Sequence, residues 1–212
     1  MSRAQLVARW SVPELATTGT DLLVLLHGYG ANERYLLEQV TPVVGPVAVA
    51  SLRGPIAEGS GFAWVSLETS LATLTPEAIA AVARQRAEPV LDWLNGLPPY
   101  RSVGLLGVSQ GAVLALHLLR MAPDRFSYVV NLSGYVLPGP ENGDAGLRQR
   151  RPPAFWGCGR HDSVIPRSYV ERTAQWLPRH TTMTARSYPI GHQESPAELA
   201  DVGAFVRSQV AG

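Results

Sequence analysis

Lysine is absent from this chain of 212 residues, so all 18 basic side chains are arginines. Without lysine there can be no P-loop lysine for nucleotide phosphates and no lysine that forms a Schiff base. The 17 acidic residues leave a formal net charge of only +1, which argues against a polyanionic ligand. The sequence therefore predicts no nucleic-acid partner.

Cysteine and long apolar runs are also scarce. Cys158 is the single cysteine, so an internal disulfide is excluded. No uninterrupted apolar run reaches the length of roughly 18 residues that a membrane span needs. The first residues, MSRAQLVARWSVPEL, lack the basic segment and apolar core of a signal peptide. We therefore expect a cytoplasmic protein with no membrane span.

The composition that remains is that of a globular protein, with 46% hydrophobic and 17% charged residues. Short apolar runs predict strands at residues 22–26, 47–50, 103–106, 126–132 and 154–156, and a further strand is predicted at 182–188. Helical patterns lie between them, at 76–94, 110–121, 166–177 and 196–210. This alternation predicts one α/β domain over residues 1–212, with a mostly parallel sheet covered by helices on both faces.

Two long connections, residues 52–75 and 134–153, are predicted to be irregular. Connections of this length in a compact domain are usually functional or mobile. Neither is long enough for a substantial cap domain, so we expect an open site.

One serine stands at a predicted strand-to-helix corner, in Gly107-Val108-Ser109-Gln110-Gly111. This is the G-x-S-x-G pattern of a nucleophile held on a tight turn, in the context that the pattern requires. Small residues two before and two after the serine let the chain segments pass closely. The helix that follows favours developing negative charge at its N-terminus. The alternative is an ordinary turn serine.

A serine nucleophile needs a base, and the base needs an orienting acid, in the chain order Ser, acid, His. Among five histidines, His192 follows the last predicted strand, at the sheet edge where such sites lie. Asp162 follows the strand at 154–156 in the same way, although it could instead be a charge at a helix N-terminus. Ser109, Asp162 and His192 are therefore the predicted catalytic residues.

The oxyanion of an acyl-transfer reaction needs two N–H donors. We expect one from Gln110, with its side chain dispensable, and the other from Tyr29 in the loop after the strand at 22–26. Phe62 and Trp64 are predicted to wall an apolar groove beside Ser109, although both could be core residues. No motif indicates a metal site or a cofactor.

The motifs HGYG, GVSQG, G-x-x-D-x-V-I-P and GH occur in an order that resembles the phospholipase/carboxylesterase family of α/β-hydrolases. That family includes acyl-protein thioesterases and small bacterial carboxylesterases. The resemblance runs from about Leu22 to His192. It implies an α/β-hydrolase fold and ester or thioester hydrolysis by the three predicted catalytic residues. It also implies a substrate-binding role for Arg53, in a loop that resembles one these enzymes carry.

The predicted function is therefore a serine carboxylesterase for short- to medium-chain esters. Acyl-protein thioesterase or lysophospholipase activity with the same triad is the alternative, and a catalytically silent binding protein is a more distant one. Residues 29–32 read Tyr-Gly-Ala-Asn where the thioesterases usually show Leu-Gly-Asp, which favours the carboxylesterase. The expected partner is a small-molecule ester, with a homodimer as a further option.

Overall fold

The computed structural model describes residues 6–12, 19–66 and 75–210. Its strands are β1 (Ala8–Trp10), β2 (Asp21–Leu26), β3 (Ala48–Leu52), β4 (Ile56–Glu58), β5 (Gly61–Ala63), β6 (Ser102–Val108), β7 (Tyr128–Leu132), β8 (Pro153–Gly159) and β9 (Thr182–Tyr188). Its helices are α1 (Glu33–Val44), α2 (Pro76–Asn95), α3 (Gln110–Met121), α4 (Asp144–Arg150), α5 (Arg167–His180) and α6 (Pro196–Val210).

Seven of the strands form one sheet in the order β1-β3-β2-β6-β7-β8-β9, and β4 pairs with β5 in a separate hairpin. All neighbours in the large sheet are parallel except β1, which is antiparallel to β3. Strands β2, β3 and β7 are buried at every position, which is why they read as continuous apolar runs. The parallel arrangement brings the carboxyl ends of β2, β6, β8 and β9 to one edge.

The helices cover both faces of the sheet. Val40 of α1 and Val206 of α6 belong to one buried cluster. Ala87 of α2, Leu114 of α3 and Leu177 of α5 belong to the other. The predicted fold class, an α/β-hydrolase sheet with helices on both faces, is confirmed. No separate cap domain covers the sheet in the described ranges.

Helix α1 is an element that the sequence analysis did not predict. It begins after Asn32, whose side chain accepts a hydrogen bond of 2.9 Å from the N–H of Tyr35. That is the bond of an N-cap residue. Pro42 lies inside the helix and weakens its pattern in the sequence.

The two connections predicted to be irregular contain regular structure. The first holds the β4–β5 hairpin, while its residues 67–74 lie outside the described part of the chain. The second holds the short helix α4. Among the described residues, no helix combines the length and apolar character needed to cross a membrane.

Candidate active site

Ser109 stands alone between β6 and α3, with φ 51° and ψ −114°. A positive φ is costly for a side-chain-bearing residue and is typical of a strained functional turn. The flanking glycines make the turn possible. A Cβ on Gly107 would overlap the backbone of Gly111, and a Cβ on Gly111 would overlap the carbonyl of Leu26. The close approach of strand, turn and helix thus holds the Ser109 side chain at the carboxyl end of β6.

His192 follows β9 and lies between the other two predicted catalytic side chains. Its Nε2 is 2.8 Å from Oγ of Ser109, and its Nδ1 is 2.8 Å from Oδ2 of Asp162. With the proton on Nδ1, the ring donates to the carboxylate and accepts from the serine hydroxyl. The structure therefore brings Ser109, His192 and Asp162 into one hydrogen-bonded line at the edge where β6, β8 and β9 end.

Asp162 has its second carboxylate oxygen, Oδ1, engaged by its own loop. The N–H groups of Val164 and Ile165 donate to it at 2.9 and 3.2 Å. Burial raises the pKa of Asp162, but the hydrogen bonds from His192 and from these two amides outweigh it and leave the pKa below its ordinary value. The carboxylate is thus ionised at neutral pH. Pro166, not Asp162, takes the N-cap position of α5.

The two predicted oxyanion donors, Tyr29 and Gln110, line the same cavity as Ser109. Gln110 is the first residue of α3, where a backbone N–H has no acceptor within the helix. On the other side, the N–H of Gly30 donates to Phe62 at 2.9 Å and that of Ala31 to Gly28 at 3.2 Å. These neighbouring amides therefore fix the loop that carries Tyr29.

Comparison with known proteins places the chain in a family. The sequence matches the family described as Phospholipase/Carboxylesterase over residues 11–210. The chain belongs to the phospholipase/carboxylesterase family. Membership supports the prediction that the protein is a hydrolase that acts on esters. It also confirms the family resemblance that the sequence motifs indicated.

Several solved structures share the fold of this family member. The carboxylesterase of Bacillus cereus is 19% identical, with a TM-score of 0.78 over 98% of this chain and 96% of that one. A carboxylesterase from Mesorhizobium loti is 21% identical, with a TM-score of 0.64 over 100% and 97%. Acyl-protein thioesterase 2 of Zea mays is 20% identical, with a TM-score of 0.68 over 96% and 99%. At these identities the likeness concerns the fold alone.

The side chain of Gln110 has contacts that the sequence analysis missed. Its Oε1 accepts hydrogen bonds from the N–H groups of Trp64 at 2.7 Å and Val65 at 3.2 Å. Its Nε2 donates to the carbonyl of Val65 at 2.6 Å. A primary amide can bond to both the N–H and the C=O of a backbone segment, which is the one signal the sequence offered. In this family member, Gln110 thus fastens the segment after β5 to the first turn of α3.

His27 is a structural residue. It is buried, its Nε2 accepts from the N–H of Gly54 at 2.9 Å, and its Nδ1 lies 2.7 Å from the carbonyl of Gly28. Burial lowers the pKa of His27, which keeps the ring neutral and Nε2 able to accept. Its carbonyl in turn accepts from Nε1 of Trp64 at 2.9 Å. His27 thus holds together the loops after β2 and β3.

The cavity beside Ser109 has a volume of about 720 Å³. His192 and Ser109 lie in its wall, which is otherwise mainly apolar. Apolar lining side chains come from several elements: Leu36, Trp64, Ile79, Val113, Leu137 and Ile165. In the described ranges no cluster of three or more His, Cys, Asp or Glu side chains forms that could ligate a metal ion.

The three predicted substrate-binding residues differ in where they lie. Trp64 lines the cavity, but it is only 1% exposed and therefore also a core residue. Neither Phe62 nor Arg53 is among the described residues that line the cavity. Arg53 instead forms a bidentate ion pair with Glu33, and its guanidinium stacks 4.4 Å above the ring of Phe62. With its charge balanced in this way, Arg53 supports the loop instead of facing the cavity.

Proposed function

We propose that this protein is a serine carboxylesterase that hydrolyses short- to medium-chain carboxylic esters. The hydrogen-bonded line from Ser109 through His192 to Asp162, opening onto an apolar cavity, carries the proposal. The lowered pKa of Asp162 supports it, because the acid of such a triad must be ionised to stabilise the cationic imidazole.

In the first half-reaction, Oγ of Ser109 attacks the ester carbonyl carbon while Nε2 of His192 removes the hydroxyl proton. Charge develops on the carbonyl oxygen, where the backbone N–H groups of Tyr29 and Gln110 donate to it. His192 then returns the proton to the departing alcohol, which leaves an acyl group on Ser109.

In the second half-reaction, water attacks the acyl carbon and gives a proton to His192. The same N–H donors stabilise the second oxyanion. Collapse releases the carboxylic acid and returns the proton to Oγ of Ser109. Asp162 stays ionised throughout and holds the ring orientation through Nδ1.

The cavity supports a preference for esters with short- to medium-chain acyl groups. Each CH₂ that an apolar wall buries contributes about 0.8 kcal/mol, so kcat/KM rises a few-fold per carbon until the space is full. A thioester presents the same carbonyl to the same triad, so thioester hydrolysis is the alternative activity. Asn32 caps α1 directly after Tyr29, Gly30 and Ala31, the segment where the thioesterases usually show Leu-Gly-Asp. We assign the reaction to one domain, residues 1–212, in the cytoplasm.

Removal of the nucleophile tests the proposal. Ser109→Ala should lower kcat on p-nitrophenyl butyrate by roughly 10⁴- to 10⁶-fold, as in comparable triad deletions. Adding His192→Ala should then cost little more, because the residues act as one unit. Ser168→Ala, an exposed serine on α5, is the control and should turn over like wild type. Wild-type turnover by Ser109→Ala would overturn the assignment.

A further inference from the structure

One face of α2 forms part of the cavity wall. Ile79, Val82, Ala83 and Arg86 all line the cavity, at the i, i+3, i+4 and i+7 spacing of a single helical stripe. Three of these side chains are apolar, as expected for a wall that receives an acyl chain. The fourth position carries a guanidinium.

Arg86 has no partner within the described part of the chain. It forms no ion pair or hydrogen bond there, and its Nε is buried without an acceptor. Two other arginines, Arg84 of α2 and Arg120 of α3, are by contrast neutralised: Arg84 pairs with Glu141 at 2.8 Å, and Arg120 pairs with Asp144 at 2.8 Å. A buried donor without an acceptor is destabilising, so its presence in the wall of a ligand cavity points to an acceptor that arrives with the ligand.

Glu194 is the carboxylate that lines the same cavity. It makes no ion pair with Arg86. Glu194 instead lies near Tyr35 of α1, whose pKa is raised by burial and then by the Glu194 charge. The cavity is thus electrostatically asymmetric, with a carboxylate near α1 and a guanidinium on α2. An anionic ligand would be repelled from the first and attracted to the second.

We propose that Arg86 determines substrate specificity by binding an anionic group on the ester. The substrate class is carboxylate-bearing esters, such as monoesters of dicarboxylic acids. The guanidinium fork matches a carboxylate in shape and charge, and an apolar wall strengthens the contact relative to water. This inference rests on the proposed esterase function, whereas the anion-binding step does not depend on catalysis.

The test compares a charged and a neutral substrate of nearly equal shape. Monomethyl adipate carries a carboxylate on the acyl side, and dimethyl adipate does not. Arg86→Gln should lower the ratio of their kcat/KM values by about tenfold, mainly through KM, with little change for the diester. Arg167→Gln removes the same charge from a 92% exposed side chain and should leave the ratio unchanged. Added salt should weaken the wild-type preference.

A second substrate pair shows which end of the ester Arg86 binds. The butyrate ester of para-hydroxybenzoate has its carboxylate on the alcohol side, and the butyrate of methyl para-hydroxybenzoate is its neutral match. A drop in the adipate pair means that Arg86 binds the acyl end, and a drop in the benzoate pair means that it binds the alcohol end. An unchanged ratio in both pairs would overturn the proposal.

Direct binding separates this proposal from the esterase assignment. In a Ser109→Ala background, calorimetry with monomethyl adipate should show affinity about tenfold higher with Arg86 than with Arg86→Gln. Failure of the wild type to hydrolyse either neutral ester would contradict the proposed function, but the calorimetric test of the anion site would still be valid. Equal affinity of the two variants both for monomethyl adipate and for the butyrate ester of para-hydroxybenzoate would contradict the anion site.

Discussion

The side-chain oxygen of Gln110 lies 2.7 Å from the backbone nitrogen of Trp64 and accepts its hydrogen bond. The indole N–H of Trp64 donates in turn to the carbonyl of His27, where the loop that carries Tyr29 begins. The two proposed oxyanion donors, Tyr29 and Gln110, are therefore connected through one side chain and one indole. The relative position of the donors thus depends on Gln110 beyond its own N–H.

Gln110→Ala should lower both stability and activity. It leaves the N–H groups of Trp64 and Val65 and the carbonyl of Val65 without these partners. We expect a loss of about 1–3 kcal/mol in the free energy of unfolding and, because the donors shift, a fall in kcat of about tenfold. This reverses the expectation from sequence that the side chain is dispensable.

Urea denaturation and steady-state kinetics measure the two effects. Gln85→Ala, at an exposed position of α2, is the matched control. If Gln110→Ala and Gln85→Ala gave the same stability and the same kcat, the Gln110 contact would have no role in the donor geometry.

Asp162→Asn separates the charge of Asp162 from its loop contacts. The asparagine carbonyl can still accept from Val164 and Ile165, but the negative charge beside His192 is lost. We expect kcat to fall by about 10³- to 10⁴-fold with the fold retained, while Asp162→Ala should lose stability as well. Asp124→Asn, an exposed control, should match wild type. A fall of less than about tenfold for Asp162→Asn would remove Asp162 from the triad.

Glu198 of α6 should make stability depend on pH. It is 1% exposed and its Oε1 has no partner among the described residues. Burial, and then the charge of Glu194, raise the pKa of Glu198 from 4.5 to about 7. The folded state therefore holds this proton more tightly than the unfolded state, and stability is lost as pH rises from 4.5 towards 7.

Glu198→Gln should remove that loss. The free energy of unfolding of Glu198→Gln should exceed that of wild type only slightly at pH about 4. The difference should grow to about 2–3 kcal/mol above pH about 7. Chemical denaturation at both pH values measures it, with Glu88→Gln on the exposed face of α2 as the control. A difference that did not change with pH would show that Glu198 does not titrate in this range.

Val82→Phe should shorten the acyl chain that the protein prefers. Val82 lines the cavity one turn before Arg86, so a larger side chain there occupies part of the volume of about 720 Å³. We expect kcat/KM for p-nitrophenyl esters to fall a few-fold per carbon once the chain exceeds the reduced space. Ala81→Phe, on the exposed side of α2, is the control. An unchanged chain-length profile for Val82→Phe would place the acyl group elsewhere.

The sheet and the position of the site could be predicted from sequence because both depend on local patterns. Strands buried on both faces read as apolar runs, and the residue after each strand lies at one edge of a parallel sheet. Ser109 and Asp162 follow two largely buried strands, β6 and β8, and His192 follows β9, an edge strand whose residues are mostly exposed. Helix α1 could not be predicted in this way, because Pro42 interrupts the helical pattern of its sequence and the helix is stabilised by tertiary packing.

Contacts between distant parts of the chain were beyond sequence reasoning. The Gln110 contact to Trp64 spans 46 residues, and the ion pair that turns Arg53 away from a substrate role spans 20. Neither pair has a periodic signature. Arg86 was equally hidden, because helical spacing shows that it shares a face with Ile79 but not that this face lines a cavity.

Covalent labelling tests the central claim, that Ser109 is a nucleophile activated by His192. The folded protein is treated with a fluorophosphonate, and the adduct is located by peptide mass spectrometry. We expect one adduct, on Ser109, which is absent from Ser109→Ala and forms at least about 10²-fold more slowly in His192→Ala. An adduct on a different serine, or ester hydrolysis that continues after Ser109 is fully labelled, would contradict it.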